Sequence, residues 1–223
     1  MNPYDLIIFD CDGTLMDSEY LNNKVAAEVL TNYGLDGYTT EICLRDFAGH
    51  SWTEIKQMID AKHNIDLPQS VIQTYIDTVQ IRMKEELDVV EGALDFVSWS
   101  HERFTICVGS NGERSNVMRS LSIGGFDPYF SDENIFTKIQ VANAKPAPDL
   151  FLFAAEKMEH HPKTSLVIED SVSGVRAGVA AGMDVIGFTG AAHDKNQAEL
   201  DLKQAGATMI FDQFIHIQQY LEG

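Results

Sequence analysis

Five short apolar runs punctuate the chain: "YDLIIF" at 4–9, "FTICVG" at 104–109, "SLVIE" at 165–169, "DVIGF" at 184–188 and "ATMIF" at 207–211. None alternates polar with apolar, so each reads as a strand covered on both faces, and helix-like stretches separate most of them. The pattern predicts an α/β fold: a doubly wound parallel sheet with helices on either side. The interval from roughly 17 to 88 is different, because it carries helical periods and no comparable strand run. In "LNNKVAAEVLTNYG" Val25, Val29 and Leu30 share a face, and Gly34 suits a C-cap. "WTEIKQMIDAKHN" sets Ile55, Met58 and Ile59 on one stripe, and "PQSVIQTYIDTVQIRMKEEL" opens on a proline fit for a first helical turn. The expected organisation is a helical module, 17–87, inserted into a sheet domain formed by 1–16 and 88–223.

A chain of 223 residues can bury one large core plus a smaller module. With 16 basic and 34 acidic residues the net charge is −18, a field that repels nucleic acid and anionic membrane surfaces. Neither is an expected partner, and an anionic ligand needs a local positive site. Three cysteines, Cys11, Cys43 and Cys107, are too few and too scattered for a disulfide framework or a zinc site. No basic leader precedes the first run and no apolar stretch nears the roughly 20 residues that span a bilayer, so a cytoplasmic protein is expected.

Ligands in open α/β sheets bind beyond the carboxyl ends of the strands, which confines the search for chemistry. Asp10 and Asp12 follow the first run, Ser110 and Asn111 in "GSNG" the second, Glu169 and Asp170 in "EDSVSG" the third; Lys145 in "NAKPAPDLF" precedes a proline-led helix. Two carboxylates at ~4 Å repel by roughly 4 kcal/mol at an effective dielectric of about 20, so four acids require a cation or raised pKa values. Mg²⁺ is the expected cofactor: it takes oxygen ligands and keeps positions for water and a substrate phosphate. Asp10 could face the metal and attack phosphorus. Asp12, turned aside by the reversal that Gly13 permits, could move a proton; Ser110 with nearby backbone N–H groups could hold phosphoryl oxygens, and Lys145 could neutralise charge there.

Together, "DCDGTLMDSE", "VGSNG", "AKPAPDLF" and "VIEDSVSGVRAG" resemble the four ordered motifs of the haloacid dehalogenase superfamily, and the likeness covers essentially the whole chain. The resemblance implies a Rossmann-like core with a cap inserted after the first motif. It implies Asp10 as the nucleophile that becomes a phosphoaspartate, and Asp12 as general acid and base whose carbonyl also reaches Mg²⁺. Ser110, with Asn111 beside it, and Lys145 correspond to the phosphate-binding residues. Asp170 corresponds to a metal ligand, and Glu169 to a further ligand or to a partner of one. Dehalogenases of this superfamily lack an aspartate at the position of Asp12, since departing halide needs no proton; a departing alkoxide does, which favours phosphoryl transfer.

Placement and length of the insertion resemble the helical-cap group that holds sugar-phosphate phosphatases and β-phosphoglucomutase. "FAGHSWTEI" is similar to the substrate-recognition loop of that group, making His50, Ser51 and Trp52 candidate substrate contacts, with Trp52 equally readable as a cap-core aromatic. Ala48 and Trp52 stand where a lysine and an arginine would clamp a second phosphate, and Asn22 where a histidine is expected. Charge-assisted hydrogen bonds contribute on the order of 1.5–3 kcal/mol each, so their loss counts against a mutase. The expectation is a Mg²⁺-dependent phosphomonoester hydrolase that acts on a small phosphorylated metabolite, a sugar phosphate foremost, through a phosphoaspartate; a phosphosugar mutase and a non-catalytic metabolite-binding or interaction protein are the alternatives. Cys11, Phe126 and Phe130 read as packing residues, and His160, His161 and His193 as loop residues.

Overall fold

The computed structural model describes residues 3–47, 50 and 52–223. The chain divides into two compact units: one runs to Asp17 and resumes at Asp88, the other is Ser18–Leu87. Asp17, which the sequence reading assigns to the helical module, belongs to the sheet unit because it pairs with Asp88 in a two-residue antiparallel ribbon.

The strands are β1 (Leu6–Phe9), β2 (Met16–Asp17), β3 (Asp88–Val89), β4 (Thr105–Ser110), β5 (Ile135–Thr137), β6 (Ser165–Glu169), β7 (Asp184–Phe188) and β8 (Met209–Phe211). The helices of the first unit are α5 (Ala93–His101), α6 (Arg114–Ile123), α7 (Asp149–Lys157), α8 (Val172–Ala180), α9 (Lys195–Ala205) and α10 (Phe214–Glu222); α1 (Ser18–Asn32), α2 (Thr40–Phe47), α3 (Trp52–His63) and α4 (Gln69–Glu86) form the second.

Six strands make a parallel sheet in the order β5-β4-β1-β6-β7-β8. Here is the parallel α/β sheet that the unalternating apolar runs imply, and the Rossmann-like core that the resemblance implies. β1 is its centre, pairing with β4 on one side and β6 on the other, and every residue from Leu6 to Phe9 is buried. From β1 the chain builds outward through β4 and β5, then returns to lay down β6 to β8, so the direction of winding reverses beside β1. A crevice for ligand opens at such a reversal, at the carboxyl ends of the strands. Strand period two sends Leu6 and Ile8 to one face, where they pack with Leu150, Phe151 and Ala154 of α7 and Val175 and Ala177 of α8. On the other face Phe9 meets Phe96 edge-on at 6.0 Å, and Phe214 stacks between Phe96 and Phe188 at 5.1 and 4.4 Å. A fully buried phenylalanine contributes about 1.5–3 kcal/mol, so this aromatic column fixes α5 and α10 against the sheet. Phe126 and Phe130 are buried as well.

In the helical unit α1 packs on α2 and α4. Val25, Val29 and Leu30 are buried, Gly34 takes a φ of +98° just beyond the helix, and Ile55 and Ile59 are buried while Met58 is left exposed. Tyr38 stacks on Phe47 and its hydroxyl shares a 2.9 Å hydrogen bond with His63 Nε2. Lys24 pairs with Glu86, and Arg82 with both Glu86 and Glu28, tying α1 to α4. Among the described residues no helix is long and apolar enough to cross a membrane.

Candidate active site

β1 stops at Phe9, and Asp10 adds one more rung to the sheet by donating its N–H to the Ile168 carbonyl at 2.9 Å. The chain then folds into a tight loop. The Cys11 carbonyl accepts from the N–H groups of both Leu15 and Met16 at 2.9 Å, and the Gly13 N–H donates to the Met16 carbonyl at 2.8 Å. Closure requires a φ of +84° at Gly13, which side-chain-bearing residues rarely adopt. The loop gives its two aspartates opposite environments: Asp10 is buried and Asp12 exposed. Cys11 lies wholly inside, where burial pushes its thiol well above the ordinary range and leaves it an inert packing group.

Gly13 has a second reason to be glycine. A Cβ there would stand 1.9 Å from Oδ2 of Asp170, so the missing side chain is the space that the Asp170 carboxylate occupies. Gly174 does the same for Glu169, whose Oε1 would lie 1.7 Å from an added Cβ. Glu169 is completely buried at the end of β6, and Ser171 satisfies its Oε2 with both N–H and Oγ–H at 2.9 Å. Ser171 Oγ also accepts from the Gly174 N–H at 3.1 Å, capping α8.

Lys145 completes the cluster. Its Nζ donates to Asp10 Oδ1 and to Glu169 Oε1, both at 2.6 Å, and stands 4.8 Å from the Phe151 ring centre. Burial pushes Asp10 above the ordinary carboxylate range, the Lys145 ammonium pulls it back, and the Glu169 charge pushes it up again. Burial works against the ammonium, yet Asp10 and Glu169 together outweigh it and hold Lys145 above its ordinary value.

Oxygens of Asp10, Glu169 and Asp170 lie within 4.8 Å of one another, a set of hard donors that could hold a divalent cation. The space left at Gly13 fits this, since it brings Asp170 over the loop that carries Asp10.

Ser110 ends β4, buried opposite Thr137, and its Oγ accepts from the Gly112 N–H at 2.9 Å. A Cβ on Gly112 would be 3.1 Å from that Oγ and 3.6 Å from Asp12 Oδ2, so the hydroxyl and the exposed carboxylate flank one turn. Asn111 is committed elsewhere: its Oδ1 accepts from the Lys145 N–H and its Nδ2 donates to the Lys145 carbonyl, each at 3.1 Å. Asp10, Asp12, Ser110, Asn111, Lys145, Glu169 and Asp170 therefore gather in the sheet unit. Sequence reasoning did not find the roles of Ser171 and Gly174, although the serine of "SVSG" three residues before a glycine carries the N-cap signature.

His50 and Trp52 belong to the helical unit. The Trp52 ring lies 4.1 Å from that of buried Tyr75, and exposed His50 has Nδ1 3.9 Å from Glu54. Ser51 and Ala48 lie outside the described residues. Away from the cluster, His160 Nε2 shares a hydrogen bond with Thr105 Oγ1 at 2.9 Å, His161 caps a short helical turn, and His193 is exposed.

Known proteins resemble this chain over most of its length. It is 29% identical over 196 residues to 6-phosphogluconate phosphatase of Escherichia coli (strain K12), covering 87% of each chain. It is 31% identical over 184 residues to a fructose-1-phosphate phosphatase of the same organism, covering 82% of this chain and 95% of that one. A crystal structure of a HAD family hydrolase from Deinococcus radiodurans R1 with bound phosphate and sodium superposes with a TM-score of 0.84 at 27% identity, over 99% of this chain and 96% of that one. The family model for haloacid dehalogenase-like hydrolases matches residues 7–188, which takes in every residue of the acidic cluster, and the chain belongs to that family.

Proposed function

We propose that this protein is a Mg²⁺-dependent phosphomonoester hydrolase acting on a small phosphorylated metabolite of the sugar-phosphate class. One observation carries the reading: a single tight loop holds a buried Asp10 against the Lys145 ammonium at 2.6 Å and an exposed Asp12 two residues on. Two carboxylates in opposed environments suit two different tasks. In the first step an Asp10 oxygen attacks phosphorus, the bond from phosphorus to the ester oxygen breaks, and Asp12 gives the departing alkoxide its proton. In the second, Asp12 takes a proton from water as the water oxygen attacks the phosphoaspartate. Cleavage of the bond between phosphorus and Asp10 then releases inorganic phosphate and restores the enzyme. Ser110 and the Lys145 ammonium hold and neutralise the phosphoryl oxygens through both steps. Asp10, Asp170, the Asp12 carbonyl and Glu169 would hold the Mg²⁺, which when bound would offset the carboxylate charge and polarise the phosphoryl group.

The two phosphatase relatives and the phosphate bound to the Deinococcus protein support this substrate class. Three free, buried cysteines suit a reducing cytoplasm, which is part of the proposal. Trp52, packed on Tyr75, offers an aromatic ring and no cation for a second phosphate, so hydrolysis is preferred to mutase chemistry.

The test is phosphate release from a panel of phosphomonoesters that includes 6-phosphogluconate and fructose 1-phosphate, with Mg²⁺ and with chelator. We expect Mg²⁺-dependent release that Asp10→Asn abolishes. Release that survives Asp10→Asn, or none from any compound, would overturn the reading.

A further inference from the structure

We infer that the Asn111 side chain is a positioning group for Lys145; this rests on the hydrolase reading above for its catalytic consequence, and on geometry alone for the contact. The amide occupies both main-chain polar groups of one residue, accepting from the Lys145 N–H and donating to the Lys145 carbonyl at 3.1 Å. The two positions are 34 residues apart and lie on different loops, one leaving β4 and the other entering α7. The bracket therefore fixes the height at which the second loop stands over the sheet.

That height matters because of the lysine it carries. A lysine side chain has four freely rotating bonds, so its own stem does not aim it. Its ammonium must nevertheless meet two carboxylates on two strands ends, Asp10 after β1 and Glu169 on β6, each at 2.6 Å. Holding the Lys145 main chain from β4 places the root of the side chain relative to that same sheet. Only an amide of this length serves both groups at once. An aspartate would accept from the N–H and set an oxygen against the carbonyl; a serine is shorter than the span; an alanine makes neither bond.

If Asn111 acts by aiming Lys145, its contribution vanishes once the ammonium is gone, even though the main-chain bracket could still form. The experiment is a double-mutant cycle on kcat/KM for phosphate release with Asn111→Ala, Lys145→Met and the double variant. We expect Asn111→Ala to lower kcat/KM by roughly 10–100-fold in the wild-type background, as loss of an outer-shell partner does, and by less than about 2-fold in the Lys145→Met background. Multiplicative losses overturn the inference, because they mean that Asn111 touches substrate or supports the site independently of the ammonium. Where the alanine variant does not fold, Asn111→Asp takes its place in the cycle, keeping the acceptor and losing the donor.

A second readout needs no turnover. The Lys145 side chain is 2% exposed, so it should resist reductive methylation in the wild type, and mass spectrometry of the peptide that carries it reports this directly. Asn111→Ala should raise its labelling rate several-fold while the other lysines keep theirs. Equal protection in both proteins overturns the inference. If no phosphomonoester is hydrolysed by the wild type, the hydrolase reading fails alone, and the labelling rates still decide whether Asn111 positions Lys145.

Discussion

Two charge clusters in this molecule each set one cation between two carboxylates, in opposite surroundings. In the sheet unit Lys145 stands between Asp10 and Glu169 at 2.6 Å each, with side chains 2%, 10% and 0% exposed. In the helical unit Arg82 stands between Glu28 and Glu86, also at 2.6 Å each, with side chains 18%, 49% and 34% exposed. Contact length does not distinguish them; desolvation does. Exposed pairs contribute about 0–1 kcal/mol, because water already serves the ions well and long side chains lose freedom on pairing. Taking charges out of water costs several kcal/mol per ion, and their mutual attraction recovers that only with good geometry on both sides. Well-packed apolar side chains of similar volume often serve a fold as well as a buried ion pair does. The buried cluster sits where the winding of the sheet reverses, at the strand ends beyond which α/β sheets take their ligands, which fits the role proposed for it.

The largest effect that separates the clusters should come from Lys145→Met. It leaves two buried carboxylates without their cation, and breaking a buried pair in this way costs about 3–5 kcal/mol. Urea unfolding should show that loss, and added Mg²⁺ should recover part of it by replacing the missing positive charge. Phosphate release should fall by roughly 100–1,000-fold, the usual consequence of losing a group that stabilises developing charge. Unchanged unfolding in metal-free buffer would mean that the cluster is not the costly one, and the contrast would collapse.

A smaller effect is expected at Gly13, whose φ of +84° and 1.9 Å clearance to Asp170 leave no room for a methyl group. Gly13→Ala should strain the loop by about 1–3 kcal/mol and push the Asp170 carboxylate aside. A Mg²⁺ titration followed by thermal unfolding checks this: the metal-induced rise in Tm should need roughly 10–100-fold more Mg²⁺ than in the wild type. The same Mg²⁺ midpoint in both proteins would show that Asp170 is not held by that loop for the metal.

How far the sequence reveals these features depends on the range over which each is written. β1, β4, β6, β7 and β8 were legible because unalternating apolar runs report burial on both faces locally. β5 was not, since its three residues, Ile135–Thr137, are too few for a period and gain their place from pairing with β4. The ribbon of β2 and β3, two residues each, is invisible for the same reason. At the site, Asp10, Asp12, Ser110, Lys145, Glu169 and Asp170 could be proposed as a group because each follows a strand or opens a helix, and strand ends share an edge. What Asn111 bonds to could not be proposed, because the partner is a main-chain group on another loop and main-chain groups leave no mark in a residue code. Met58 shows the converse: its period matches Ile55 and Ile59, yet it is exposed, since a helix stripe is wider than the surface that covers it.

The smallest effect belongs to the exposed cluster. Arg82→Met should change stability at pH 7 by no more than about 1 kcal/mol and leave phosphate release unaltered. Its signature is the dependence on pH. Hydrogen bonds from Arg82 and then Lys24 lower Glu86 from 4.5 to about 2. The folded-state value lies below the unfolded one, so this carboxylate stabilises the fold fully above about 4.5 and progressively less as the pH falls toward 2. Urea midpoints of wild type and Arg82→Met, measured from neutral pH downward, should therefore run parallel above that value and converge below it, and high salt should narrow the gap at neutral pH. A gap that persists into acid would mean that Arg82 acts through the packing of its aliphatic stem. The two clusters would then differ in kind of interaction, and exposure alone would no longer account for the contrast between them.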